Sequence, residues 1–444
     1  MSSAGAPDPS PSRAPSVRRA LRVALARGAF AFLVVGIVGE LAGLAVAAVS
    51  PLRLASFPKV GAFEFALVNG VPLVARARLA LGGSGSFAPP PISARIELGA
   101  TLLLGTSLAA WLLYRGGRAA ADALGGEGSL ARVAAGAAVA VPYATLAFAV
   151  AWLVELRISM PGVLASGSVQ ARSLPALLLP LLLGVIAGAV GGLRSATARS
   201  EDASLRRAEA VLAGGWRMLL LGLAFSYVGL FVAGVVEPDG FAAWLTPTTD
   251  PYLRAVARHP GVGTVVVVHQ LVAAPNEAIW TLVPAMGGCD VLSGAAGGSR
   301  PFACYGRIPV GVARPSLVSL LAGPSSVGLR FAKAPWPVYL FLLAPGAATV
   351  MAGAWTARRG GSGSGREAAV LGAGAGVVFA VVVGAVGWLA SVRLAIEITP
   401  RLIGTGAYRI GPELVSGGAL ALAWGVVGGA LGGAIATRSR PLSR

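Results

Sequence analysis

Few residues in this chain have side chains that could do chemistry. Glu40 sits in the middle of the first long apolar run, where a carboxyl group is costly and is therefore a candidate for a proton or cation site. A hydrogen-bonded carboxyl that fixes helix packing, against Tyr143 or Tyr227, accounts for Glu40 equally simply. A second cluster, His269, Asn276 and Glu277, lies with Pro275 inside the apolar stretch Val262 to Met286. A helix broken at Pro275 would expose free amides at one half-end and free carbonyls at the other, which is how membrane transporters build ion and ligand sites. The same stretch could instead be an amphipathic hairpin closing an outer vestibule, with Trp280 as its interface anchor. Glu97, Glu155, Glu237 and Glu413 fall at helix ends, where solvation is the simpler reading. No P-loop, HExxH, GxSxG or CxxC motif occurs, and two histidines cannot build a His-rich metal centre. Neither a catalytic set, a metal site nor a cofactor is expected, and the chain reads as a non-enzyme.

The elements that hold these residues are set by composition. A chain of 444 residues that is 55% hydrophobic and 12% charged, with a mean hydropathy of +0.75, belongs in a bilayer. The net charge of +18 then points to anionic lipid at the cytoplasmic face rather than to nucleic acid. Apolar runs predict helices over Gly28 to Ser50, Leu98 to Tyr114, Val133 to Val154, Leu174 to Leu193, Met218 to Val236, Pro337 to Thr356, Ala368 to Val392 and Leu414 to Ala436. The first run is too long for a cleavable signal core. With the N-terminus inside, the inner segments carry slightly more than half of the 36 basic residues on a much shorter length of chain. Both termini are therefore expected in the cytoplasm of a multi-pass cell-membrane protein. Val262 to Met286 is then a re-entrant or surface-lying hairpin, because a full span there would place Arg358, Arg359 and Arg438 outside.

The halves resemble each other. Arg18-Arg19-Ala20 recurs as Arg206-Arg207-Ala208, and the stretch from Gly184 to Gly192 matches that from Gly425 to Gly433 at most positions. Two parallel four-helix repeats follow, 28–198 with an outer loop 51–96 and 199–444 with an outer segment 237–334, preceded by a basic tail 1–27 that is expected to be disordered. Gly184, Gly188 and Gly192, with Gly425, Gly429 and Gly433, form small-residue stripes on which helices can pack closely. By the same alignment, the counterpart of Glu40 falls at Ser226 or Tyr227.

The fold class expected is thus an all-α polytopic membrane protein with a re-entrant or broken hairpin and small extracytoplasmic β-hairpins. One such hairpin is predicted at Phe63 to Val68 and Val71 to Leu79, turned by Asn69-Gly70, with Pro72 confining its second strand to an edge. Cys289 and Cys304, the only cysteines, lie in the outer segment and read as a disulfide worth about 3 kcal/mol. The Gly360 to Gly365 stretch is expected to be a disordered linker.

Around Ala274-Pro275-Asn276-Glu277-Ala278-Ile279-Trp280 with Pro284, and around Ile96-Glu97-Leu98, the chain resembles the streptophobe family of Gly- and Ala-rich polytopic membrane proteins, which carry a Pro-Asn-x-x-x-Trp block in the corresponding outer hairpin. Glu277 departs from the small or apolar residue expected there. The chain is more distantly similar to PerM-like cell-division membrane proteins. The first resemblance implies no defined activity, and the second implies a scaffolding role in the envelope. A non-enzymatic protein acting by interaction with other envelope proteins is the expectation, with a secondary transporter or channel between the repeats as the alternative.

Overall fold

A computed structural model describes residues 14–49, 57–79, 92–125, 128–160, 165–197, 203–236, 275–294, 298–313, 328–333, 336–399 and 406–438. Among them, seven helices are long and apolar enough to cross a bilayer: Ser16–Leu44, Ser129–Leu153, Ser173–Ser195, Ala203–Gly229, Tyr339–Arg359, Gly365–Ala390 and Leu414–Thr437. The chain is a multi-pass, predominantly helical membrane protein.

Helix α1 (Ala14–Val49) starts well before the expected Gly28, so its basic residues Arg18, Arg19 and Arg22 ride on helical turns rather than in a loose tail. Helix α2 (Phe57–Val68) occupies the stretch that the hairpin reading assigns to a strand. Asn69-Gly70 does turn the chain with a positive φ of 71° at Gly70, but it ends a helix there. The amide of Gly70 donates to Leu67 O and that of Val71 to Ala66 O, satisfying carbonyls that the helix end leaves open. Pro72 then precedes β1 (Leu73–Leu79), which is paired on both sides, so it marks no edge.

Strand β2 (Ile92–Gly99) takes up Ile96 to Leu98, and α3 (Leu103–Asp122) begins later than expected. The alternation of Ser93, Arg95 and Glu97 with apolar neighbours is a strand period. Arg115, Arg118 and Asp122 in its last turns leave α3 outside the seven apolar helices. The third expected run is split into α4 (Ser129–Ala137) and α5 (Ala140–Leu153). Strands β3 (Glu155–Met160) and β4 (Ala165–Ala171) lead to α6 (Ser173–Thr197), followed by α7 (Ala203–Val236).

After the undescribed stretch, α8 covers 275–285. Pro275 is its first described residue, and residues 262–274 of the expected hairpin lie outside the described residues. Four strands follow, β5 (Cys289–Gly294), β6 (Ser299–Cys304), β7 (Arg307–Ala313) and β8 (Gly328–Lys333), then a 3-10 stretch (Trp336–Leu342) running into α9 (Leu343–Arg359). Helix α10 (Gly365–Ala390), β9 (Val392–Thr399), β10 (Gly406–Pro412) and α11 (Leu414–Arg438) complete the chain.

The Gly360 to Gly365 stretch is an ordered turn. Ser362 is buried, with its amide and hydroxyl both donating to Ala357 O. Ser364 caps α10 by accepting from Glu367 N, while Glu367 accepts from Gly363 N at 2.8 Å. A capping pair of this kind leaves little for a flexible linker to do.

The small hairpins expected outside the bundle are instead parts of one ten-stranded sheet in the order β3-β4-β1-β2-β9-β10-β5-β6-β7-β8, every adjacent pair antiparallel. Its registers recur with a constant shift along each strand. Leu73 opposite Ala171 and Val74 opposite Gln170 correspond to Asp290 opposite Pro412 and Val291 opposite Gly411. Leu156 opposite Val169 likewise corresponds to Val392 opposite Ile410.

By contact density the chain falls into two compact units that do not divide at 198/199. The first comprises the chain to Val34, Leu108–Ala147 and Leu177–Glu201; the second comprises Val35–Ser107, Phe148–Ala176 and Asp202 onward, including the whole sheet. In the second unit, Met218, Leu219, Ile279, Leu282, Val283, Phe379 and Val383 form the main apolar core.

Candidate functional site

Glycine seams form the most regular feature of both units. In the first, Gly188 of α6 faces Gly117 of α3, where an added Cβ would lie 2.6 Å from the Gly188 Cα, and it also faces Gly136 of α4. Gly184 meets Ala140 and Gly192 meets Arg132. In the second, Gly429 of α11 faces Gly353 of α9 and Gly372 of α10, Gly425 meets Gly376, and Gly433 meets Ala368. Gly28 lies beside Val139 O in the first unit and Gly215 beside Ala375 O in the second. Backbones at these distances leave no room for side chains or water between the helices.

Within the second unit, the polar residues singled out in the sequence are held by separate partners. Asn276, in the first turn of α8, accepts from Leu103 N at 3.0 Å through Oδ1 and donates to Thr101 O at 2.6 Å through Nδ2. It thereby satisfies one of the amides that open α3 and ties α8 to that helix start. Trp280, one turn on, donates to Ala390 O at 3.1 Å, and Trp424 donates to Met286 O at 3.1 Å. The α8 block that carries the family resemblance is therefore a set of clamps between helix ends.

Glu277, beside Asn276, is partly buried, and burial raises its carboxyl above the usual range. Glu40 packs on α2, with its Cα at 2.7 Å from where a Gly61 Cβ would stand, and its Oε2 is buried without a hydrogen-bond partner. No hydrogen bond joins Glu40 to Asn276 among the described residues, and His269 lies outside them. Ser226, aligned with Glu40 by the expected duplication, is fully buried with its hydroxyl unpartnered, whereas Tyr227 is exposed. Glu97 pairs with Arg172 at 2.8 Å and Arg95 at 3.7 Å, while Glu413 accepts from Ser416 at 2.7 Å.

Asp290 escaped the sequence reading. It is 2% exposed in β5, its Oδ1 has no partner, and burial pushes its carboxyl well above the usual range. Its position beside Cys289 was legible; its burial was not, because a β-strand this short gives no sign of which face is covered. Cys289 and Cys304 stand directly opposite each other in β5 and β6 and are disulfide-bonded. Arg409 in β10 donates to Ser391 Oγ at 3.0 Å and to Pro412 O at 2.8 Å, and burial lowers its pKa. That of Arg393 is lowered by burial and then by Arg409.

Among the described residues, no group of three or more His, Cys, Asp or Glu side chains could hold a metal ion. Among the described residues the arrangement is one of clamps, caps and close backbones. No family model, curated protein or solved structure matches the chain.

Proposed function

We propose that this chain is a non-enzymatic cell-envelope protein that acts by interaction and assembly, presenting an extracytoplasmic sheet on a bundle of two parallel four-helix repeats with both termini in the cytoplasm. The observation that carries the reading is the ten-stranded sheet itself. It draws strands from four separate segments between helices, and among the described residues β3 and β8 are its edges, whose backbone groups can pair with another chain.

Three observations support the finer parts. The recurring strand registers and the matched glycine contacts favour a duplication whose halves point the same way. The cystine in β5 and β6 suits an oxidising compartment on the sheet side. The density of arginines at the other helix ends suits the cytoplasm and anionic lipid. Membership of the streptophobe family belongs to the same proposal, on the strength of the Pro275-Asn276 block with Trp280. Asn276 and Trp280 both serve there as clamps, roles that do not depend on the unusual Glu277.

A transporter or channel is the second reading, favoured by the unpartnered Oε2 of Glu40. Purified protein in proteoliposomes separates the two. Assembly predicts no proton flux above protein-free liposomes, together with cross-linking of cellular proteins to a photoreactive residue at Lys333 or Arg157 on the edge strands. A flux that disappears in Glu40→Gln, with no adduct at either edge, overturns the proposal.

A further inference from the structure

The first unit carries a cleft of about 660 Å³ between α1 and α3, with charge at one end and apolar walls along the rest. Arg27, Arg115 and Arg118 surround its charged end. Phe30 and Val34 of α1 and Leu108, Trp111 and Leu112 of α3 form the apolar walls. Arg27 lies against Gly116, where an added Cβ would be 2.9 Å from its own Cβ, so the two helices touch at the charged end. From Arg27 to Val34 the wall extends about 10 Å along the helix, at 1.5 Å per residue.

The charges at that end are unequal. Arg118 has an acidic partner in Asp122 at 3.9 Å, and Asp122 also accepts from Ser195 Oγ at 2.6 Å. Arg115 instead sits over the Trp111 ring at 5.0 Å, a contact that holds the guanidinium on the cleft wall and leaves its N–H groups available. Arg27 and Arg115 thus form a surplus of positive charge above an apolar slot.

The second repeat, aligned by the matched glycine contacts, carries different residues at the corresponding positions. Met351 stands where α3 has Arg115, Ala354 where it has Arg118, and Trp355 where it has Ala119. Arg217 of α7, in the place of Phe30, lies over the Trp355 ring at 3.4 Å and covers that position. Arg115 and Arg118 thus belong to one repeat alone, so the common architecture does not require them.

We propose that this cleft binds one anionic phospholipid, with the phosphodiester between Arg27 and Arg115 and the start of an acyl chain against Trp111, Phe30 and Leu112. A guanidinium pair suits a phosphate, and a slot open to lipid suits a chain that remains in the bilayer. The inference needs only α1 and α3 and stands apart from the assembly reading.

The test uses full-length protein in phosphatidylcholine nanodiscs with graded phosphatidylglycerol, one lipid or the other carrying brominated acyl chains. The difference in fluorescence quenching between wild type and Trp111→Phe isolates the cleft from the other tryptophans. Brominated phosphatidylglycerol is expected to quench Trp111 at mole fractions where brominated phosphatidylcholine does not. Arg27→Gln and Arg115→Gln each shift half-saturation by about fivefold, the equivalent of roughly 1 kcal/mol per basic residue. Arg115→Lys restores most of the loss, and Arg358→Gln changes nothing. Equal quenching by both lipids, or half-saturation unmoved by the two Gln variants, overturns the proposal. Release of the quenching by millimolar inorganic phosphate would identify a soluble anion site and overturn it too.

Discussion

Gly117 and Gly188 meet backbone to backbone, and a Cβ placed on Gly117 would lie 2.6 Å from the Cα of Gly188. Gly353 and Gly429 repeat the arrangement at 2.7 Å. Gly117→Ala and Gly353→Ala should each destabilise the bundle by about 1–3 kcal/mol, since neither backbone can retreat without opening its seam. Gly384→Ala, at a helix position with nothing within 4 Å, should be neutral or slightly stabilising. Thermal unfolding in detergent, followed for the three variants side by side, checks the ranking; a Gly117→Ala protein as stable as wild type would refute it.

Asn276 should matter to stability more than its position in a polar cluster suggests. Asn276→Leu removes both bonds of the clamp and leaves the Leu103 amide without its acceptor, a loss of about 1–3 kcal/mol. Asn276→Asp keeps the oxygen facing Leu103 N and loses only the donor to Thr101, so it should fall between the two. Protease susceptibility of the purified protein reads the order directly.

Asp290 predicts a pH dependence whose sign follows from its burial. The folded protein holds the carboxyl proton to higher pH than the unfolded chain does, so its contribution is complete below the ordinary aspartate range and is lost as pH rises through the raised folded value. Asp290→Asn should flatten that decline and raise the melting temperature at neutral pH. Melting curves for both proteins between pH 4 and pH 8 decide the matter, and parallel curves would count against it.

The cystine can be tested from outside the cell. Replacing Cys289 and Cys304 with Ser together should cost about 3 kcal/mol, as expected for a closed loop of this length. In the wild type, a membrane-impermeant maleimide should label intact cells only after an impermeant reductant is added. Labelling that requires permeabilised cells would put the sheet in the cytoplasm.

The long helices were legible because a bilayer demands long apolar runs. The cystine was legible because only two cysteines exist. The sheet was not: its strands are short and come from distant parts of the chain, so pairs such as Ser93 with Thr399 leave no local trace. Asn69-Gly70 misled because a positive φ serves a helix end as well as a hairpin, and the choice rests on the packing of α2 against Gly39 and Glu40. Glycines around Ser362 suggested a loose linker, while the capping by Ser364 and Glu367 turns the same residues into a tight corner. At the candidate site, Asn276 and Trp280 were visible as polar groups in an apolar sleeve, but their partners Thr101 and Ala390 were not, being remote in sequence.

Strand β2 is zipped to β9 from Ser93 opposite Thr399 to Gly99 opposite Arg393, and Arg95 reaches across to Glu397 at 3.7 Å. Any motion that parts the segment before α3 from the segment after α10 would have to shear this ladder, breaking main-chain bonds in a row. A machine that alternates its opening would be poorly served by such a weld, whereas a platform meant to keep one outline through many encounters gains from it.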